Sequence, residues 1–334
     1  MKRIAFLFLL VFSLPLLHAQ KKYKPVSQQP VVIEQPTLTK QNLARLTKTE
    51  DTLCRLAEVW MYDTLSLENR KNACYEFIPK FLNALKTDNS FYYPFDSLTH
   101  VSKVYSPDSL FRIFTWQLHY PKGKFRYYGL IQMRSEKLRL YPLKDLRDTF
   151  SFHTQQILSP ENWYGCLYYN IIRTTINRQA YYTLFGFEAP DFISRRKILE
   201  VMHFENGKPV FGAPLFHFKY DSTALKMRDT LNRFFMEYKW DGNPILKYDN
   251  EMEAIVYSHL EPPNPKAKGA YFAYVPDGSY EGFKWLKDRW QWIERVFSFA
   301  INENDNPPIP APLFGTPKRQ PVLPTEIEKP IPSR

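Results

Sequence analysis

The stretch Met202–Phe218, MHFENGKPVFGAPLFHF, decides how this chain is read, because two histidines flank a glycine-bearing centre. It is either a loop that presents His203 and His217 to a metal or ligand, or a hairpin. Asn206-Gly207 lies between two alternating runs, and both residues tolerate the positive φ that a two-residue turn demands, which predicts a hairpin. The register follows, with Glu205 facing Lys208, Phe204 facing Pro209 and His203 facing Val210. Continued along the ladder it sets His217 near Arg196, so the two histidines are not partners and no metal site is assigned to them. Pro214 lacks a donor and Gly212 permits a bulge, so FGAP should bend or end the second strand.

Outward from this hairpin the period stays at two. From about Leu110 to Phe299, aromatic and β-branched runs are separated by turn residues, as in LFRIFTWQL (110–118), KFRYYGLIQM (124–133), AYYTLFGF (180–187) and RWQWIERVF (289–297). That is the pattern of antiparallel strands. In NRFFMEYKW (232–240) Phe234, Met236, Tyr238 and Trp240 point one way, towards a core, and Arg233, Glu237 and Lys239 point to water. Asp241-Gly242 and Asp277-Gly278 repeat the turn chemistry. No crossover helix of a dozen residues follows Arg112, except one candidate at STALKMRDTLNR (222–233), so parallel pairing is not expected.

Before the strands the period is helical. Leu43, Leu46, Leu53, Ala57 and Trp60 share one face of a first helix, and Cys74, Ile78, Phe81 and Leu85 one face of a second, in which Pro79 should kink the helix or restart it. Joined by MYDTL (61–65), the two helices would bring Cys54 and Cys74 near each other, the candidate disulfide among three cysteines. The third, Cys166, reads as a buried strand thiol. The expected fold is thus α+β: a helical hairpin region at 37–100, a mainly antiparallel β meander of sandwich or barrel-like form at 105–299, and a disordered tail at 300–334. That tail holds nine of the 27 prolines and reads as an inert spacer or a peptide ligand for an aromatic groove.

At the other end, MKRIAFLFLLVFSLPLLHA (1–19) has Lys2 and Arg3, an apolar run from Ile4 to Leu17 and a small residue, Ala19, which together read as a secretory signal peptide followed by a linker at 20–36. The run is shorter than the about 20 residues a bilayer core requires. An uncleaved anchor is the competing reading, because Leu17 is an unusual residue two positions before Ala19. Cleavage removes two bases and no acid, so a net charge of +11 becomes +9. An exported location, periplasmic or at the cell surface, is expected, with no membrane span after cleavage. The bases are interspersed with acids, which speaks against a nucleic-acid surface.

Chemistry-bearing motifs are few. There is no nucleophile elbow, and Ser258 and His259 alternate to opposite faces of their strand. No phosphate-binding glycine pattern occurs among 11 glycines, so no cofactor is implied. The carboxylates Glu200, Asp249, Glu251, Glu253 and Glu281 leave paired-carboxylate hydrolysis of an envelope or extracellular glycan as the alternative function. The leading reading is a non-enzymatic binding module for an envelope protein or glycan, carried by aromatic and turn residues Tyr274, Asp277, Tyr280, Trp285, Trp290 and Trp292, without assigned catalytic or metal-binding residues.

Residues 50–297 resemble a family of exported Bacteroidetes proteins of no assigned activity. The resemblance rests on SFYYPFDSL (90–98), FRIFTWQL (111–118), FRYYGLIQM (125–133), WYGCLYYNII (163–172), YYTLFGF (181–187), RRKILEVMHFENGKPVFGAPLF (195–216), RFFMEYKWDGNPILKYDNEMEAIVYSHLEP (233–262) and YVPDGSYEGFKWLKDRWQW (274–292). It implies export and supplies no catalytic residue. Where the family pattern has Asp-His-Leu this chain has Ser258-His259-Leu260, and Val275 replaces a glycine. An acid is therefore missing beside His259, which favours a packed strand histidine over an acid-base pair.

Overall fold

The computed structural model describes residues 37–61, 66–150, 154–218 and 230–297. The signal segment, the linker, the Pro-rich tail, most of MYDTL and residues 222–229 of the candidate crossover helix lie outside them, while its last four residues, 230–233, are not helical and lead into a strand. The described residues begin with two helices, α1 (Lys40–Met61) and α2 (Leu67–Leu85), and continue as three mostly antiparallel sheets.

The helices form where the apolar spacing predicts. Leu46, Leu53, Ala57 and Trp60 of α1 are buried, whereas Leu43, expected on that face, is exposed. Glu50 takes a place on the buried face instead. Its carboxylate accepts Tyr93 Oη at 2.5 Å and the backbone N–H of Ser97 at 2.8 Å, tying α1 to the segment that follows α2. Ser66 caps α2 by accepting Asn69 N–H at 3.2 Å. The helix then runs unbroken through Pro79, so the expected restart does not occur. Phe77, not singled out by the periodicity, is fully buried and meets Trp60 edge-on at 4.8 Å.

The first sheet is β1 (Ser102–Tyr105), β2 (Phe111–Tyr120), β3 (Lys124–Met133) and β4 (Leu140–Lys144), in that order. The second has the order β10-β7-β6-β5, comprising β5 (Leu167–Ile176), β6 (Gln179–Glu188), β7 (Ser194–Glu205) and β10 (Arg233–Lys239), with β8 (Lys208–Phe211) added on β7. The third has the order β11-β12-β13-β14-β9, from β11 (Leu246–Asp249), β12 (Ala254–Glu261), β13 (Val275–Leu286), β14 (Arg289–Ile293) and β9 (Phe216–His217).

Strand alternation stacks these layers. Phe114, Trp116 and Leu118 of β2 pack under the helices, while Phe111 and Ile113 pack against Tyr182, Leu184, Ile198 and Met202 of the second sheet. The intervening residues of that sheet, Phe185, Leu199 and Val201, join Ile255, Phe283 and Trp290 of the third. The second sheet is therefore covered on both faces, and the architecture is a helix layer over three stacked sheets, neither a simple two-sheet sandwich nor a closed barrel. Covered on both sides, β7 is buried without a break from Ile198 to His203, and only Glu200 and His203 in that run are polar.

The hairpin at Asn206-Gly207 has the predicted register, Glu205↔Lys208, Phe204↔Pro209 and His203↔Val210, with φ of 50° and 75° at its two central residues. Beyond Phe211 the ladder stops. The chain crosses to the third sheet, where Phe216 and His217 pair in parallel with Trp290 and Gln291. The expected placement of His217 near Arg196 is thus corrected, and so is the expectation of no parallel pairing. Both arise because the bend at Gly212 and Pro214 releases the strand from β7. The two Asp-Gly pairs also differ from expectation. Asp241-Gly242 makes a turn, but it links β10 of the second sheet to β11 of the third; Asp277-Gly278 lies within β13 as a bulge. Hairpin turns occur instead at Asn177-Arg178 and Lys287-Asp288, all four residues at positive φ.

Cys54, Cys74 and Cys166 are all free thiols in this structure. Both helix cysteines pack into the core beneath α1 and α2. No helix among the described residues is long and apolar enough to cross a membrane.

Candidate functional site

The inner face of the third sheet is an aromatic row set by register. Tyr248 opposes Ile255, which opposes Phe283, which opposes Trp292, and Trp285 opposes Trp290 beside Phe216. Most of the row is closed by the second sheet. Trp290 is 1 % exposed and its indole N–H donates to Thr183 Oγ1 at 2.9 Å, so it belongs to the core between the sheets.

At one edge the two sheets part, leaving a cleft of about 460 Å³. Tyr248, Trp285 and the edge of Trp290 form its aromatic side; Pro107, Ile172, Arg173 and Thr174 form the other, with Glu253 and Lys284 also lining it. Trp285 is half-buried and meets Trp290 at 5.0 Å and 69°. The Arg173 guanidinium is held by Asp108, Nε to Oδ2 at 3.1 Å, and Tyr182 Oη donates to the same oxygen at 2.7 Å. Partial burial pushes the Asp108 carboxyl up, but the hydrogen bonds from Tyr182, Ser106 and Leu110 N–H, with the Arg173 charge, bring it below its ordinary value. Thr174 Oγ1 is buried with no hydrogen-bond partner among the described residues. A flat apolar ring flanked by a guanidinium, an ammonium, a carboxylate and a hydroxyl suits a polyhydroxylated ring that stacks on one face and hydrogen-bonds at its edge.

The six residues proposed from sequence do not converge. Trp285 and Trp290 meet at this cleft. Trp292 sits at the opposite end of the row, where its indole N–H reaches Tyr257 Oη at 3.1 Å and Glu281 Oε2 at 3.3 Å. Tyr280 points to the outer face and meets Phe297 edge-on at 5.4 Å. Tyr274 follows a short 3₁₀ turn, its hydroxyl accepting Gly269 N–H at 3.0 Å. Asp277 joins His259.

That last pairing corrects the reading of His259 as lacking an acid. Asp277, Gly278 and Ser279 bulge opposite the single residue His259, so the acid arrives across the ladder, with Nδ1 of His259 2.8 Å from Asp277 Oδ2. His259 Nε2 lies 3.7 Å from Glu281 Oε1. Burial pushes Asp277 up, but Ser279 and His259 more than offset it and hold the carboxyl below its usual range. His259, Glu261 and Asp277 are the one set of three among the described residues whose ligand atoms, within 4.8 Å of one another, could hold a metal ion. Their partial to full exposure makes this an open surface arrangement. His203 and His217 do not meet: His203 Nε2 pairs with Glu205 Oε1 at 2.8 Å, and His217 Nδ1 lies 3.4 Å from Thr230 Oγ1.

The carboxylates named for hydrolysis are dispersed. Glu200 is fully buried in a pair with Arg233, Asp249 accepts the N–H groups of Glu251 and Met252, and Glu281 lies beside His259. Of that set Glu253 alone lines the cleft. A carboxylate that periodicity did not single out, Glu188, is nearly completely buried, accepts Tyr164 Oη at 2.7 Å and sits within 3.5 Å of Arg147 and Arg196. Burial pushes its carboxyl up against the pull of the two guanidiniums. Its oxygens are already occupied by these partners, so it serves packing specificity between layers. Sequence reasoning missed Arg173, Thr174 and Tyr248 because nothing local marks residues from β5 and β11 as neighbours of Trp285.

Compared with protein-family models, curated proteins and solved structures, the chain finds no match.

Proposed function

We propose that the protein is an exported, non-enzymatic binding module that takes a glycan in the cleft between the second and third sheets. The observation that carries this reading is the half-exposed Trp285 ring lining the same cleft as the Arg173 guanidinium, which Asp108 holds in place. A stacked sugar shields the ring from water, and the fixed polar groups select its hydroxyl pattern. Export follows from the signal-like first 19 residues and the resemblance described above.

The test is calorimetric titration of the chain from residue 20 with a panel of envelope oligosaccharides. Trp285→Ala and Arg173→Ala should each weaken the binding about tenfold or more while the fold is retained. Saturable binding that neither substitution alters, or no binding across the panel at millimolar sugar, overturns the reading. Trp290→Ala is unsuitable for this purpose, since the buried indole makes that substitution a test of folding.

A further inference from the structure

A second concavity, remote from the aromatic cleft, lies between α2 and strand β4 at the edge of the first sheet, with a volume of about 330 Å³. Its origin is a mismatch of widths. The two helices pack across β2, and β4, the outermost strand, is left with its helix-side residues uncovered. One wall is the α2 stripe Ile78, Leu82 and Lys86, spaced four residues apart and so aligned on one face. The other wall is Leu140 and Pro142, spaced two apart on one face of β4, and Trp116 forms the floor. Lys86 is the only charged residue among those lining it, and the described residues offer its ammonium no ion pair.

We propose that this groove binds the acyl chain of a free fatty acid, with the carboxylate paired to Lys86. Three observations select that occupant. Apart from Lys86, the Tyr128 hydroxyl and the Trp116 indole N–H the lining is hydrocarbon, so an extended acyl chain removes its exposed surface from water and strands no polar group beyond the indole N–H, which already lacks a partner. A peptide would bring an amide N–H and C=O at every residue into a lining where the Tyr128 hydroxyl is already engaged with Tyr75. The single charge is positive and stands at the end of the α2 stripe, which complements a ligand that is apolar along its length and anionic at one tip. The volume lies at the lower end of the range of small-molecule sites, suited to one chain rather than the two of a phospholipid.

The experiment is titration of the intact protein with dodecanoate, followed by Trp fluorescence and by the ¹³C signal of carboxyl-labelled ligand. One saturable site is expected. Lys86→Glu should weaken dodecanoate about fivefold or more, as loss and reversal of one solvent-facing ion pair implies, and leave dodecanol binding unchanged. Leu82→Trp, which fills the groove, should abolish binding of both ligands with no loss of melting temperature. Absence of saturable binding to the wild-type protein overturns the proposal, as does binding that survives Leu82→Trp. Equal affinity for dodecanoate, dodecanol and dodecyltrimethylammonium, unaffected by Lys86→Glu, overturns the assignment of the carboxylate to Lys86. A lysophospholipid that binds tighter than dodecanoate would transfer the site to membrane lipid and also overturn it.

Discussion

Glu200 and Arg233 stand directly opposite each other on β7 and β10, both at 0 % exposure, and their carboxylate and guanidinium form an ion pair inside the second sheet. Tyr168 Oη donates to the same carboxylate, and Trp163 Nε1 donates to Tyr168 Oη at 2.8 Å. The alternation of NRFFMEYKW assigns Arg233 to water. The first sheet, stacked over that face, places it in the core instead.

Arg233→Met leaves the Glu200 carboxylate buried without its counter-charge. The expected loss is about 3–5 kcal/mol, read from urea unfolding. The double variant Glu200→Leu/Arg233→Met should recover most of that loss, because no charge is then stranded. A double variant as unstable as the single one would show that the pair is needed for more than its own neutralisation.

Asp108 links stability to pH beside the Trp285 cleft. Its folded value lies below its ordinary one, so the stabilisation is fully present above the unfolded carboxylate value and is lost as pH falls through the lower folded value. Melting temperature should therefore drop more steeply on the acid limb in the wild type than in Asp108→Asn. Sugar affinity should fall over the same window, because Arg173 loses the charge that orients it. Identical acid limbs for the two proteins would exclude Asp108 as the group responsible.

Thiol chemistry distinguishes free cysteines from the bridge that the two-helix spacing suggests. Burial pushes the Cys74 thiol up to about 11 and Cys166 well above its ordinary value, and raises Cys54 with help from Glu50. Thiolate is scarce in all three at neutral pH. In denaturant three thiols should react, whereas in the folded protein reaction should be slow and confined to half-exposed Cys54. A single reactive thiol in denaturant, before reduction, with the label mapped to Cys166, would establish a Cys54–Cys74 disulfide.

Gly207 tests the turn that organises the central sheet. Its φ of 75° is left-handed, and a Cβ there would meet only Arg139 at an ordinary 3.6 Å. The cost of Gly207→Ala is thus conformational, about 1 kcal/mol. Chemical denaturation should show that loss with an unchanged m value. A loss of several kcal/mol would mean that the neighbouring Tyr141 hydroxyl, which donates to Gly207 O at 2.5 Å, is also displaced.

The residues from Met202 to Phe211 fold as local rules alone dictate. A two-residue turn with positive φ and a side-chain period of two specify a hairpin and its register from neighbours alone, and the helical spacing of Leu46, Leu53, Ala57 and Trp60 does the same for α1. The same local code was insufficient at Asp277-Gly278, where its turn chemistry is used in a bulge that delivers Asp277 to His259. The packing of distant layers is what buries Arg233, draws Phe216 and His217 away from β8's path to pair in parallel with β14, and brings Arg173 and Trp285 to one cleft. The physical reason is range. Dihedral preference and periodicity act over a few residues, whereas a contact such as Trp290 to Thr183, 107 residues apart, exists because whole layers must cover one another's apolar faces.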